Sequence, residues 1–478
     1  MAGVSSAAHL TMTQAAELTR SGDVSASELV EQSLSSIRQS QHRLNAFVLI
    51  DDEGAREAAR QLDRLDPEQR GALHGVPIAI KDIFDVVGHP TRRGSAAFEN
   101  ARPARHDAEA VRRLRAAGAV VVGKTRTHEL ACGVYTNGTA NPWDVSRSAG
   151  GSSGGSGAAV AAGLVFGATG SDTGGSVRIP AALCGTVGLK PTYGRISRVG
   201  VASLAWSLDH VGALARDVAD AWLMYEVLAG DDTQYPATVG QVQREHVRTG
   251  ERRPLRLGVP EGTFLDNLTP NVQEVWSDAT ARLSADGVDV VTVTVVGLSG
   301  ALAAEFTIVM AEAAAYYERL VRSHPERIES GVRGLLEMGL QLPALTYLRA
   351  QRARADLQRG FTAVFRAQSL DAVLTPTLPG TAQRHDQVYL RGDDGESVAD
   401  AFVRTTGPFN LTGMPAVSLP AGLAPDGLPV GVQVAGRPYG EDDLRVVAQR
   451  VQDCLGVGQP PPEEHRSRQR PTRAEGDP

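Results

Sequence analysis

Cysteine is scarce: the 478-residue chain has three, Cys132, Cys184 and Cys454. They are far apart, form no Cys-x-x-Cys pair and are odd in number. This excludes a disulfide framework and a thiolate zinc cluster, and points to reduced thiols. No run of about 20 uninterrupted apolar residues occurs, so no membrane-spanning helix is expected. The nearest stretch, Val288 to Tyr317, is broken by Asp289, Glu305 and Glu312 and reads as a strand followed by a helix. The opening residues, Met1 through Ser5-Ser6-Ala7-Ala8, lack a basic segment followed by an apolar one, so no secretory leader is expected. Basic residues are outnumbered, 48 Lys and Arg against 55 Asp and Glu, for a net charge of −7. That balance argues against a nucleic-acid backbone as the main partner. His-Glu-x-x-His spacing is also missing; His106-Asp107 and His128-Glu129 are isolated pairs, so no metal site is expected. Together these absences predict a cytoplasmic enzyme-like chain with neither membrane nor nucleic acid as its partner.

What the chain does have is concentrated between Ala149 and Pro191. Ala149-Gly150-Gly151-Ser152-Ser153-Gly154-Gly155-Ser156-Gly157 is followed by a small apolar segment. Gly170-Ser171-Asp172-Thr173-Gly174-Gly175-Ser176-Val177-Arg178 comes next. Each turn offers hydroxyls beside backbone amides that no side chain covers. Glycine lets a backbone approach a substrate closely, and bare N–H groups can form an anion nest. A hydroxyl beside such donors is equipped for acyl transfer once a base is supplied.

That base is found upstream, where Gly75-Val76-Pro77-Ile78-Ala79-Ile80-Lys81-Asp82 reads as a buried strand ending in lysine. Desolvating an ammonium favours its neutral form and lowers its pKa. A neutral lysine can take a proton from a hydroxyl, so the chemistry needs no histidine. The plainer reading has Lys81 at a strand end paired with Asp82. The two Gly/Ser turns favour the base.

These segments resemble the three blocks of the amidase signature family, with Ser152 and Ser176 separated by 24 positions. The likeness continues through Cys184 to Thr192, Gly194-Arg195-Ile196-Ser197, Leu374-Thr375-Pro376-Thr377, Phe409 to Ala416 and Gly431 to Gly436. The resemblance implies an α/β fold, a mixed central sheet covered by helices on both faces, and hydrolysis of a small carboxamide without a cofactor. It implies a Ser–Ser–Lys relay: Ser176 as nucleophile, Ser152 as bridge after a cis bond to Gly151, and Lys81 as base. Backbone amides of Thr173, Gly174, Gly175 and Ser176 are the implied oxyanion hole. Asp172 and Arg178 are expected to brace these loops. Cys132, Tyr135, Thr136, Gly150, Gly151 and Trp206 are the expected substrate contacts, with Tyr135 and Trp206 hinting at an apolar or aromatic acyl group. A homodimer is common among similar proteins. Another implied reading is the amidase component of a glutamyl-tRNA amidotransferase-like complex.

Two further patterns compete. Gly118-Ala119-Val120-Val121-Val122-Gly123-Lys124-Thr125 satisfies the phosphate-loop spacing, but its middle residues favour a strand over a flexible cradle. Gly151-Ser152-Ser153-Gly154-Gly155 satisfies the esterase elbow with Ser153 as nucleophile. None of the downstream histidines, His210, His246, His324, His385 or His465, sits in a matching context. Ser153 and Ser156 are otherwise assigned no chemical step, and Cys132 lacks a partner histidine.

The expected organisation is one large unit over residues 1–458. It has a helical segment over about 1–70, short strands alternating with helices from Gly75 to about Ala229, and a polar surface excursion from Asp231 to Arg253. A second alternating block starts at Leu255. A helical elaboration follows over about 298–368, and the resemblance places it near the site. Residues 459–478 read as a disordered tail.

Overall fold

A computed structural model describes residues 10–238, 254–391, 395–456 and 460–461. Eleven strands form one sheet: β1 (Phe47–Ile50), β2 (Pro77–Lys81), β3 (Val120–Thr125), β4 (Gly167–Asp172), β5 (Val187–Lys190), β6 (His210–Ala215), β7 (Arg256–Pro260), β8 (Asp289–Val293), β9 (Ala372–Pro376), β10 (Ala416–Leu423) and β11 (Pro429–Ala435). Their spatial order is β1-β3-β2-β4-β6-β5-β10-β11-β9-β7-β8. Parallel pairs (β3/β2, β2/β4, β9/β7, β7/β8) mix with antiparallel ones, as expected.

Fourteen helices are described. The first seven are α1 (Met12–Ser21), α2 (Ala26–Leu44), α3 (Asp52–Leu62), α4 (Glu109–Ala116), α5 (Gly154–Ala161), α6 (Arg178–Cys184) and α7 (Val218–Leu228). The rest are α8 (Pro270–Ala285), α9 (Ala301–Ser323), α10 (Ser330–Leu340), α11 (Ala344–Ala367), α12 (Val398–Thr406), α13 (Pro408–Leu411) and α14 (Glu441–Leu455).

The period of two along β2 divides its residues between the faces. Ile78 and Ile80 pack with Met12, Ala15 and Met224 of α1 and α7. Ala79 packs with Val30, Leu34 and Ala158 of α2 and α5. Alternation therefore sends Lys81 to the α5 side, where the Gly/Ser turns lie.

Ser25 starts α2 with a capping box, its hydroxyl accepting the Glu28 N–H while the Glu28 carboxylate accepts the Ser25 N–H. The N-terminal segment is not helical throughout. Asn45, left-handed at φ 47°, ends α2, and Phe47-Val48-Leu49-Ile50 pairs antiparallel with β3. An aromatic, branched tetrapeptide that short fits a pleated edge better than a helical turn.

The phosphate-loop pattern is occupied by β3, buried throughout. Lys124 is held by Asp82 at 2.6 Å, Pro90 O at 2.9 Å and Thr91 at 3.0 Å, so it is committed to the protein. One helical stretch, Leu298–Ser323, is long and apolar enough to cross a membrane. Its Ala304 and Ile308 pack with Leu357 and Phe361 of α11 inside the molecule. The polar excursion from Asp231 to Arg253 falls outside the described residues over 239–253. The tail does so at all but positions 460–461.

Candidate active site

Lys81 ends β2 with no exposed surface. Its Nζ lies 2.8 Å from Ser152 Oγ, 2.9 Å from Ser153 Oγ and 2.8 Å from Ser171 Oγ. Burial lowers its pKa to about 7, against the opposing pull of the Asp172 and Asp209 carboxylates. Asp82 pairs with Lys124 instead, so the simple Lys81–Asp82 ion pair does not form.

Ser153 donates its hydroxyl proton to Ser171 O at 3.3 Å, so toward Lys81 it can only accept. Ser171 Oγ supplies a second acceptor. A neutral amine has two N–H bonds and one lone pair; with the two N–H bonds directed at Ser153 and Ser171, the lone pair would face Ser152.

The Ser152 loop is built for close packing. The Gly151–Ser152 peptide bond is cis, as the resemblance implies. A Cβ on Gly151 would overlap the Tyr135 backbone, and Gly150 sits at φ 81°. Thr136 Oγ1 donates to Ser152 O at 3.2 Å and accepts from Gly154 N at 3.0 Å. The His128 N–H also donates to Ser152 O, at 3.1 Å. Thr136 is thus a clamp on the loop.

Ser176 follows β4. It is 7% exposed where Lys81 and Ser152 are fully buried, which makes it the hydroxyl a substrate can reach. Its carbonyl accepts the Ser153 N–H at 3.2 Å, tying the two turns together. No hydrogen bond joins the Ser176 and Ser152 hydroxyls among the described residues.

Asp172 organises the turn. Its carboxylate accepts Gly175 N–H at 2.9 Å and Val177 N–H at 3.1 Å. The Gly175 amide is therefore spent within the loop. The amides of Thr173, Gly174 and Ser176 have no hydrogen-bond partner among the described residues. Gly175 sits at φ 129°, and a Cβ there would strike Thr406. Burial alone would raise the Asp172 carboxyl, but the Arg178 guanidinium outweighs it and holds the group well below the usual range.

Arg178 is fully buried. It donates to both Asp172 oxygens (2.9 and 3.0 Å), Thr406 O (2.8 Å), Gln433 Oε1 (3.1 Å) and Asn410 Oδ1 (2.6 Å). Asn410 returns to Asp172 at 2.8 Å. Asp172 and Arg178 thus tie this turn to Thr406 of α12, Asn410 of α13 and Gln433 of β11.

The remaining candidates divide. Burial pushes the Cys132 thiol up to about 12, which leaves it no thiolate for attack. Tyr135 donates its hydroxyl to Gln387 O at 3.0 Å. Trp206 is 43% exposed, with its carbonyl accepting from Tyr193 and Arg198. Ser153, the esterase candidate, is bonded to Lys81 and Ser171, with no histidine bonded to it among the described residues. The sequence did not single out Ser171, Thr406 or Asn410 for the site. Ser171 lay within the second Gly/Ser turn and Asn410 within a later segment that carries the family resemblance, but neither drew a role.

The family model described as Amidase matches residues 28–444. A Pseudomonas putida protein called Amidase is 40% identical over 447 residues, covering 92% of this chain and 95% of that one. A Roseiflexus castenholzii protein, named as one of the subunits of glutamyl-tRNA(Gln) amidotransferase, is 37% identical over 482 residues, covering 93% and 96%. The solved peptide amidase of Stenotrophomonas maltophilia aligns with a TM-score of 0.81 at 30% identity, covering 95% and 98%. Fold and site define a hydrolase of amide carbon–nitrogen bonds. The chain belongs to the amidase family.

Proposed function

We propose that this protein is a free-standing amidase that cleaves a small carboxamide through an acyl-enzyme on Ser176. The observation that carries the reading is a buried lysine with a depressed pKa whose Nζ lies 2.8 Å from Ser152 Oγ. Lys81 accepts the Ser152 proton as Ser152 accepts that of Ser176, and Ser176 Oγ attacks the amide carbon. The N–H groups of Thr173, Gly174 and Ser176 stabilise the oxyanion, each such donor being worth about 10²–10³ in rate. As the intermediate collapses, the C–N bond breaks and the proton returns through Ser152 to the leaving nitrogen. Water then adds to the ester, its proton taken by the same relay. The carboxylic acid leaves and Ser176 Oγ–H is restored. No cofactor enters these steps. A single domain, a homodimer and a cytoplasmic setting belong to this proposal.

The test is fluorophosphonate labelling with peptide mass spectrometry. An adduct on Ser176 that fades in Lys81→Ala and Ser152→Ala is expected; an adduct on Ser153 would overturn the relay. The reading as one component of an amidotransferase complex is favoured by relatives such as the Roseiflexus protein. Hydrolysis of simple amides by the purified chain, without partner proteins or ATP, decides against it.

A further inference from the structure

Asp209 stands directly before β6 and is buried. Its carboxylate accepts five hydrogen bonds. Oδ1 takes the Thr173 hydroxyl at 2.7 Å and the Ala205 N–H at 3.0 Å. Oδ2 takes the Ser203 hydroxyl at 2.6 Å, the Leu204 N–H at 3.0 Å and an Arg198 N–H at 3.1 Å. Two carboxylate oxygens offer about four lone-pair positions, so this group has no acceptor capacity to spare. Arg198 is fixed in turn. Its guanidinium lies over the rings of Tyr193 and Tyr235, at 5.6 and 5.1 Å, and donates to the Tyr235 hydroxyl at 2.7 Å.

Four of the five donors belong to residues 198–205, the loop that Asp209 closes on itself. The fifth does not. Thr173 lies 36 positions away, at the start of the turn between β4 and α6. It carries one of the three amides in that turn without a partner among the described residues. The turn is therefore held at two points. Asp172 takes the Gly175 and Val177 amides, and Asp209 takes the Thr173 hydroxyl. Between them runs Gly174-Gly175, a backbone with no side chains of its own to fix its direction. Amides aimed before the substrate arrives stabilise a developing charge without reorganising, so their direction matters to the rate. The Asp209 carboxylate is also near enough to Lys81 to oppose the lowering of the lysine's pKa.

We propose that Asp209 is a positioning residue for the reaction, fixing through the Thr173 hydroxyl the direction of the backbone amides that receive the oxyanion. This rests on Ser176 being the nucleophile and on those amides facing the carbonyl oxygen. The bonds of Asp209 within its own loop serve the fold, and the bond to Thr173 serves the rate.

The experiment follows the labelling of Ser176 in the full chain by a fluorophosphonate, whose phosphoryl oxygen gains charge as the hydroxyl adds. The maximal labelling rate and the half-saturating concentration are read separately. Both are taken on the plateau above the Lys81 pKa of about 7, so that a change in its titration does not enter. Thr173→Val removes the hydroxyl and keeps the branched shape. It should lower the maximal rate by about tenfold or more, with half-saturation held within about threefold. Thr173→Ser keeps the hydroxyl and should hold the maximal rate within about threefold of wild type. Asp209→Asn should also lower that rate by about tenfold or more. Added to Thr173→Val, it should cost no more than about threefold further, because the two residues act through one bond.

A wild-type maximal rate in Thr173→Val overturns the inference, and so do losses that multiply in the double variant. Either result leaves Asp209 with its loop bonds alone. The two Thr173 variants decide the matter without Asp209→Asn, whose weakened bonds to Leu204 and Ala205 also act on the fold. An adduct at Ser176 that forms equally fast in every variant overturns this inference alone. No adduct at Ser176 in wild type overturns the nucleophile assignment, and the inference with it.

Discussion

At the scale of single residues, the proposed relay would make the environment of Lys81 set the working pH. With a pKa of about 7, its lone pair is available above that value and lost below it. The kcat/KM for a neutral amide should therefore rise with pH to a plateau, with a midpoint near the pKa of Lys81. Lys81→Ala should lower kcat/KM by about 10²–10⁴ and remove this limb. A midpoint that survives in Lys81→Ala would assign the titration to another group. The same shift has a sign for stability. The folded-state pKa lies below the unfolded value of 10.5, so between them the unfolded chain binds more protons. Burying Lys81 thus costs stability at and below about pH 7, and the cost fades as pH rises toward the unfolded value. Much of this residue-level picture was legible, because Lys81, Ser152 and Ser176 stand in motifs whose composition is unusual. Ser171 and Glu305 were not. Ser171 lies on β4 among glycine, alanine and threonine, where no apolar alternation marks a face. Glu305 showed only as an interruption in an apolar stretch, with nothing local to mark it as a buried acid.

At the scale of elements, the turn between β4 and α6 is held by charge as much as by packing. Asp172 and Arg178 are both without exposed surface and bond each other through two contacts. Removing one partner leaves the other as an uncompensated buried charge. Arg178→Ala should therefore destabilise the fold by about 3–5 kcal/mol, read from the urea midpoint at unchanged slope. Arg178→Lys should recover little, since an ammonium cannot reproduce the planar fork that reaches Asp172, Gln433 and Asn410 together. A loss within the range of about ±0.5 kcal/mol typical of surface substitutions would refute the bracing role. Elements of this kind were partly readable. The N-terminal helical segment was readable in outline, and α2 opens on a capping box, which is local chemistry. β1 was missed because its four residues follow a long helix, and their strand identity comes from pairing with β3.

For the whole molecule, the sheet order is the feature least accessible to sequence reading. Lys190 pairs with Ala416 and Gly188 with Ser418 where β5 meets β10. This one seam joins strands from the first half of the chain to strands from the second. Arg178 crosses the same seam through Gln433 on β11 and Asn410 on α13. Local propensity cannot specify such partners, since antiparallel strands of similar composition are interchangeable until the loops and helices around them are placed. We propose that the catalytic turns and the distant edge strands, joined through one sheet, unfold as one unit. If so, chemical unfolding followed by far-UV circular dichroism should coincide with the loss of Ser176 labelling. Both should also coincide with the change in fluorescence of Trp276, which lies on α8 against the β7-side core. Coincident midpoints for the three probes are expected of a single cooperative unit. Trp206→Phe and Trp143→Phe substitutions would isolate the α8 signal together with that of Trp222, which reports on α7 from the other half. An α8 signal lost at lower denaturant, while Ser176 labelling persists, would divide the molecule at the β5–β10 seam. In that event the Arg178 bridge would tie two separately stable units, and Arg178→Ala should separate their midpoints further.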